Sequence, residues 1–458
     1  MAEVSGFLGR HVAEVVLFLY MFGIVMQWPV TQLMILEKSC QSSHSDAVCS
    51  SLADHPEIEA SVQTDGTFWV MTLPSIIGIM LAFTSLLLGS ASDKFGRGKI
   101  LMLTCLGGVI LALCFIAQSS LGYLSPTLLF IGYTAMGLSG SIGTFMATLF
   151  DYITDVTPAD ERTRRLSTVQ PFAGLGTILG MLLSGNVLKY LGFTAVYVIF
   201  LATQTAVLLL AYKFMQVKPK SDVSKTAEQS HWLSAIWGNL TAGARVCLKT
   251  RPGSGRKHVI FMVLCGVINM AGVGGDMGLT VLYTQRAPFH WEPTTLGYFN
   301  AAKNVCLILG MVLGTRALLK VFGSRSSTDH DLTLMQTGYM AVAIAALLTS
   351  MATSSLYLML VPLLSTFSGP AQAAGGSFSS KLIETTEKGA FSSFSSFLGN
   401  LARPFGTLVF STIYAWTSTS SPGFAFAVQA AVYMVAFLLI TLLKTDIKAK
   451  DEKDIKSG

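Results

Sequence analysis

Three ionisable side chains stand inside stretches that are otherwise apolar, and they have the greatest capacity for chemistry in this chain. Asp276 lies beside Gly272, Gly274 and Gly275, Lys303 lies between Asn300 and Asn304, and Arg403 precedes Pro404. A charge at bilayer depth costs at least about 2.5 kcal/mol on insertion scales, so such residues are paired or line a wet cavity. Two arrangements satisfy that constraint. Lys303 and Arg403 can bind an anionic part of a solute, with Asp276 as their counter-ion or as a proton-carrying group; alternatively, Asp276 forms a structural pair with one of the two cations. The glycines around Asp276 predict a break in regular helix there. Weaker candidates are the amides Gln32, near Pro29, Gln170, before Pro171, and Asn300. Each can equally serve a helix-to-helix hydrogen bond of about 0.6 kcal/mol. Glu14 falls close to one end of its apolar run and is expected at the interface.

No set of groups points to catalysis. The chain has neither H-E-x-x-H nor G-x-S-x-G, so no nucleophile or metal-bound water is predicted. Cys and His occur at no metal-ligand spacing, and no nucleotide-binding motif is present. The expectation is no enzyme, no cofactor and no metal.

The elements that position these residues follow from composition. Of 458 residues, 52% are hydrophobic and 12% charged, and the mean hydropathy is +0.58. Soluble domains carry about 25% charged residues, so the class is an all-α membrane protein. Apolar runs predict helices near 11–36, 67–89, 100–118, 127–151, 166–187, 194–216, 258–283, 294–319, 332–352, 356–380, 391–414 and 424–443. Each is long enough to cross about 30 Å of hydrocarbon. Of 31 Lys and Arg, only Lys38, Lys189 and Arg286 fall in outer segments and Lys303 and Arg403 fall mid-helix, which leaves 26 on the inner side. The positive-inside rule then places both termini in the cytoplasm. The net charge of +6 reports orientation, and no nucleic-acid partner is expected because the basic residues form no face with interleaved aromatics. The predicted organisation is a six-helix half over 1–217 with an outer loop at 37–66, a cytoplasmic linker over 218–257, a second half over 258–443 and a cytoplasmic tail over 444–458. Cys40 and Cys49 share the outer loop, where an oxidising compartment allows a disulfide or leaves two free thiols. The other five cysteines read as small apolar residues. Within the linker, 232–248 has its aromatic and aliphatic residues at helical spacing, suiting a helix on the membrane surface or one packed beneath the bundle.

Between the second and third runs lies Gly89-Ser90-Ala91-Ser92-Asp93-Lys94-Phe95-Gly96-Arg97-Gly98-Lys99, a polar turn at a membrane surface. This stretch closely resembles the loop between helices 2 and 3 of the major facilitator superfamily. The resemblance implies twelve transmembrane helices in two pseudo-symmetric halves, and it implies transport by alternating access. It further implies that Asp93 approaches the N-terminal end of helix 391–414 and that Arg97 meets Asp151 or Asp155, contacts that close the cytoplasmic side. Gly89 and Gly96 complete the motif. In the second half the equivalent stretch keeps Gly323 and Arg325 but has Leu318 at the acidic position, so the charge latch is expected mainly in the first half.

Further motifs narrow the resemblance. Pro29-Val30-Thr31-Gln32, Asp155-Val156 before Arg162-Thr163, Gly274-Gly275-Asp276-Met277-Gly278 and Ser380-Lys381-Leu382 before Glu387-Lys388-Gly389-Ala390 are similar to solute carrier family 46, the folate-transporter-like branch. That resemblance implies a proton-coupled carrier of organic anions. Several coupling positions depart from it: Gln170 stands where a glutamate is implied, Ala271 near an implied histidine, Gly376 near an implied arginine, and His290 at an implied cysteine. The function expected is therefore secondary active transport of a small organic anion or zwitterion, possible proton coupling being carried by the resemblance alone. The alternatives are a uniporter and a transport-incompetent receptor or scaffold. The expected partners are a small solute, protons and the lipid bilayer, with the chain acting as a monomer in the plasma or lysosomal membrane.

Overall fold

Backbone amides in hydrocarbon must find partners within their own segment, and the apolar runs accordingly fold as helices. The computed structural model describes residues 2–45, 48–49, 56–121, 127–158, 161–216, 232–251, 254–286, 288–314, 327–384, 387–418 and 420–457. Among the described residues there is no strand. The helices are α1 (Ala2–Gln41), α2 (Pro56–Phe95), α3 (Arg97–Ser120), α4 (Leu128–Leu138), α5 (Ser141–Val156), α6 (Arg162–Phe214) and α7 (Trp232–Leu248). They continue with α8 (Gly255–Gln285), α9 (Pro293–Leu309), α10 (Ser327–Ser350), α11 (Ser355–Leu360), α12 (Ser365–Leu382), α13 (Lys388–Thr417) and α14 (Phe424–Ser457). A π turn, Gly310–Gly314, extends α9, and a 3-10 turn, Val361–Leu364, joins α11 to α12.

Nine segments among the described residues are long and apolar enough to cross a membrane, so the expected count of twelve is not reached by this measure. The reasons are local. Thr168–Phe214 counts once, although its backbone leaves helical geometry at Gly192, φ 79° and ψ 179°. The Ser- and Gly-rich helices α12 and α13 are not among the nine.

The turn expected over 89–99 is far shorter in the structure. α2 continues through Phe95 and α3 begins at Arg97, so the reversal falls on Gly96 alone, with φ 97° and ψ 142°. A side chain at that φ would be strained, which is why the motif places glycine there. The outer loop shrinks likewise, because α1 runs to Gln41 and α2 starts at Pro56. The helix expected over 127–151 is divided, Gly140 and Ser141 taking φ 90° and 44°. Conversely, the break expected beside Asp276 is absent: α8 is regular from Gly255 to Gln285.

The chain forms two compact units, Met1–Ile236 with Trp291–Ala301, and Trp237–His290 with Ala302–Gly458. In the first, α1 packs chiefly on α6. Gly176 and Gly180, one turn apart, permit this approach: a Cβ on them would lie 2.5 Å from the Phe18 carbonyl oxygen and 2.7 Å from that of Phe22. Small residues at this spacing let helix backbones meet where apolar lipid supplies no hydrophobic drive. Val16, Leu17, Phe145, Leu149 and Val207 pack around Tyr20, whose ring stacks on Phe145.

The second unit repeats the device. α8 packs chiefly on α13, where a Cβ on Gly274 would strike the Arg403 carbonyl and one on Gly406 the Ala271 carbonyl. The glycines expected to break α8 instead admit a neighbour. α10 packs on α12 and α14 around Met335, Phe378 and Ile440. The end of α7 is tucked beneath this unit: Val246 and Cys247 are buried with Val259 and Ile383, and a Cβ on Gly243 would lie 2.8 Å from the Ala390 carbonyl oxygen. The linker helix is therefore packed under the bundle along its second half.

Replacing Gly406 with Leu forces α13 away from α8 and is expected to lower stability by about 1–3 kcal/mol. Gly376→Ala, where a Cβ has nothing within 4 Å, is expected to change it by no more than about 0.5 kcal/mol in the unfavourable direction. Thermal unfolding of the two purified variants in detergent separates them; equal losses would contradict the crossing.

Candidate functional site

The Gly272-to-Gly278 face of α8 brings its backbone against α13 and α14. Thr407 donates its hydroxyl to the Gly274 carbonyl at 2.9 Å, and Gln429 donates its amide to the Gly272 carbonyl at 2.9 Å. Tyr433 occupies the space over Gly272. This packing fixes the register of the two helices that carry Asp276 and Arg403.

The three charged residues singled out by sequence divide unequally. Lys303 on α9 donates from Nζ to Asp276 Oδ2 on α8. Arg403 takes no part in that pair. Its Nη2 lies 3.7 Å from Met270 Sδ and its buried Nε has no hydrogen-bond partner among the described residues. A thioether is a weak acceptor and offers no opposite charge, so among the described residues the guanidinium meets no carboxylate. The Asp276–Lys303 pair is about one-third exposed on each side, 34% and 35%, which leaves both groups within reach of a solute. Asn300 lies one turn before Lys303 on α9 and is half-buried. Gln32 is buried on α1, and Gln170 is exposed on α6; both belong to the first unit, as does Asn300.

The latch residues form a second cluster. Arg97 donates from Nε to Asp155 Oδ2 at 3.1 Å, its Nη1 is 3.3 Å from Asp151 Oδ2, and it also reaches Ser92 Oγ. Both acidic candidates are thus engaged together. The side chains at Gly89 and Asp93 lie outside the described residues, as do Leu318, Gly323 and Arg325. Glu14 is buried, 2% exposed; Arg165 holds it in a two-pronged contact, Nη2 to Oε2 at 2.9 Å. Opposite charges facing each other from α1 and α6 make that burial tolerable.

The second unit carries end pairs of its own. Lys381 at the end of α12 meets Asp331 at the start of α10 at 2.5 Å, and Ser377 donates to the same carboxylate at 2.9 Å. Arg97 opens α3 and meets Asp155 at the end of α5, whereas in the second unit the acid opens α10 and the base ends α12, so the signs are exchanged. Below α13, Glu387 accepts from Lys249 at 2.6 Å and from Arg251 at 2.9 Å. The Lys249 hydrogen bond holds the Glu387 carboxyl below the usual glutamate range, with Arg251 adding to the effect, and the Lys249 ammonium is raised in return. Cys40 and Cys49 form a disulfide. Among the described residues no group of His, Cys, Asp and Glu could hold a metal ion.

The family model of the Major Facilitator Superfamily matches residues 14–407. The lysosomal proton-coupled steroid conjugate and bile acid symporter SLC46A3 of Gallus gallus is 25% identical over 451 residues, covering 96% of this chain and 95% of that protein. The proton-coupled folate transporter of Bos taurus is 24% identical over 454 residues, covering 95% and 93%. The probable peptidoglycan muropeptide transporter SLC46 of Drosophila melanogaster is 21% identical over 457 residues, covering 94% and 85%. Among solved structures, the human organic anion transporter MFSD10 (TETRAN) aligns with a TM-score of 0.65 at 15% identity, covering 94% of this chain and 99% of that one. A peptide transporter POT in complex with sulfate aligns with a TM-score of 0.68 at 12% identity, covering 95% of each.

Two outcomes follow from the geometry. Asp276→Asn leaves Lys303 without its counter-charge and is expected to cost about 1–3 kcal/mol, less than a fully buried pair would; Asp276→Asn with Lys303→Gln is expected to recover most of that loss, as thermal unfolding would show. Because the Glu387 carboxyl is depressed, its contact with Lys249 and Arg251 is complete at pH 7, persists to about pH 5 and is lost only as pH falls below the ordinary glutamate range. Hydrogen exchange over Trp232–Leu248 at pH 7, about pH 5 and about pH 2, each corrected for the intrinsic exchange rate, measures this, with protection expected at the two higher values and lost at the lowest.

Proposed function

This chain belongs to the Major Facilitator Superfamily, its sequence is similar to solute carrier family 46, and its role is membrane transport; from that premise we propose that it carries a small organic anion by alternating access, with Arg403 as the group that receives the anionic part. The observation that supports this is the half-buried Arg403, whose buried Nε has no hydrogen-bond partner among the described residues, while the other interior cation, Lys303, is paired with Asp276. A planar guanidinium offers five donors in a fork that matches a carboxylate or sulfate in two-point contact. The relatives whose names specify folate, steroid conjugates, bile acids or muropeptides all handle molecules that carry acidic groups, which is why that chemistry is favoured here.

Proton coupling is assigned to the Asp276–Lys303 pair. Protonation of Asp276 releases Lys303, which then adds a second positive charge for the solute; deprotonation restores the internal pair and expels it. This route takes the place of the glutamate and histidine implied at Gln170 and Ala271. In this reading both termini are cytoplasmic, by the distribution of Lys and Arg, Arg97 with Asp151 and Asp155 braces the cytoplasmic ends of the first unit, and the chain works as a monomer. No catalytic role is proposed.

Uptake into proteoliposomes of a folate, a bile acid conjugate and a small muropeptide, with and without an inward proton gradient, tests the proposal. At least one is expected to accumulate faster with the gradient. Arg403→Gln is expected to reduce that uptake at least about 100-fold, the loss of roughly 2.7 kcal/mol for a charged contact, with unchanged amounts of folded protein. Asp276→Asn with Lys303→Gln is expected to keep anion binding but lose the response to the gradient. Undiminished uptake in Arg403→Gln would remove the assignment, and no flux of any anion would turn the chain into a receptor or scaffold.

A further inference from the structure

The second unit carries a groove that none of Asp276, Lys303 and Arg403 lines. Its floor is a single face of α10, on which Thr333, Thr337, Ala341 and Ile344 recur at helical spacing, a stripe about 16 Å long at 1.5 Å per residue. Phe437 and Lys444, two turns apart on α14, form one wall, and Leu364 and Phe367 close the other. The volume is about 450 Å³, within the range of about 300–1,000 Å³ for small-molecule sites.

Only one end of the groove is polar. Lys444 donates to Thr333 Oγ1 at 2.6 Å and to Gln336 Oε1 at 3.2 Å. Lys444 and Lys448 lie 3.4 Å and 3.3 Å from the same oxygen of Asp329. Two ammonium groups therefore share one carboxylate, and this end keeps a net positive charge. From there the lining becomes apolar, ending at Ile344 and Phe367, which are 40% and 44% exposed. A trough with a cationic end and an apolar length complements an amphiphile with an anionic head; basic pockets between transmembrane helices bind acidic lipid headgroups on this principle.

We propose that this groove is a binding site for an anionic phospholipid, with its phosphate on Lys444 and Lys448 and one acyl chain lying along Thr337, Ile344 and Phe437. A zwitterionic lipid brings its own cation and leaves the positive end unmatched. A soluble anion leaves the apolar length uncovered. The site is separate from the transport chemistry proposed above and stands whether or not Arg403 binds a solute.

Native mass spectrometry of the full-length chain in detergent, titrated with phosphatidylglycerol or with phosphatidylcholine of the same acyl chains, reads occupancy directly. Phosphatidylglycerol is expected to bind more tightly. Lys448→Gln, at a side chain 56% exposed and so without cost to folding, is expected to reduce that preference about fivefold, the ratio given by about 1 kcal/mol per basic residue at an anionic surface. Thr337→Phe fills the trough without altering charge and is expected to lower occupancy by both lipids. Inorganic phosphate is expected not to displace the lipid. Equal binding of the two lipids, a preference unmoved by Lys448→Gln, or occupancy unmoved by Thr337→Phe would overturn the site. Displacement by phosphate would make it a free-anion site, and a dimer that excludes lipid would give the groove to a second copy of the chain; either also overturns the assignment.

Discussion

An ionised side chain surrounded by apolar helices has to be met by an opposite charge or by water, and this constraint governs where the chain can place its few interior charges. Moving even one unpartnered charge into hydrocarbon costs several kcal/mol, a large fraction of the 5–15 kcal/mol typical of a folded domain. Asp276 and Lys303 satisfy the requirement mutually. Glu14 and Arg165 do so at the end of the first unit, and Asp331 and Lys381 in the second. Arg403 departs from the pattern, since among the described residues its guanidinium meets a methionine sulfur and no carboxylate. An arrangement that leaves one guanidinium without an opposite charge, while Asp276 and Lys303 pair with each other, is poorly suited to a purely structural role. It is well suited to a ligand that arrives with its own negative charge.

The position of these groups depends on how closely the helices meet. In each unit the main crossing is made by small residues, Gly176 and Gly180 on α6 against α1, Gly274 and Gly406 between α8 and α13. Such contacts hold backbones at a fixed register with little side-chain freedom. A charge carried one turn from such a crossing is therefore held in place more firmly than one on a flexible loop. Asp276, two residues beyond Gly274, and Arg403, whose own carbonyl faces that glycine, are both placed in this way. The pairs at the helix ends fall on weaker elements. Lys249, 45% exposed, and Arg251, 10% exposed, bring the linker to Glu387, and screening by salt keeps the Lys249 contribution small.

Much of the fold was legible because hydrophobic run length and the distribution of Lys and Arg are properties of the sequence itself. The sequence also pointed to Arg97 with Asp151 or Asp155, to Cys40 with Cys49, and to Asp276, Lys303 and Arg403 as the interior charges. It left open which cation Asp276 meets, because helical spacing gives depth but not azimuth between different helices. The Gly272–Gly275 run misled because glycine both weakens a helix and admits a neighbour, and only the position of α13 decides between the two. The burial of Glu14 was not legible because its partner, Arg165, is 151 residues away. The Asp331–Lys381 pair was missed because the repeat preserves the contact while exchanging the signs. The lipid groove had no signature at all, since it exists only where α10, α14 and the α11–α12 link converge.

The central claim is that Arg403 provides the positive charge that an anionic solute meets. Equilibrium binding to purified protein of an organic acid and of its neutral methyl ester, compared between wild type and Arg403→Gln at neutral pH, tests it most directly. The account predicts that the wild type prefers the acid strongly and that Arg403→Gln binds acid and ester alike. A preference for the acid that survives in Arg403→Gln would contradict it.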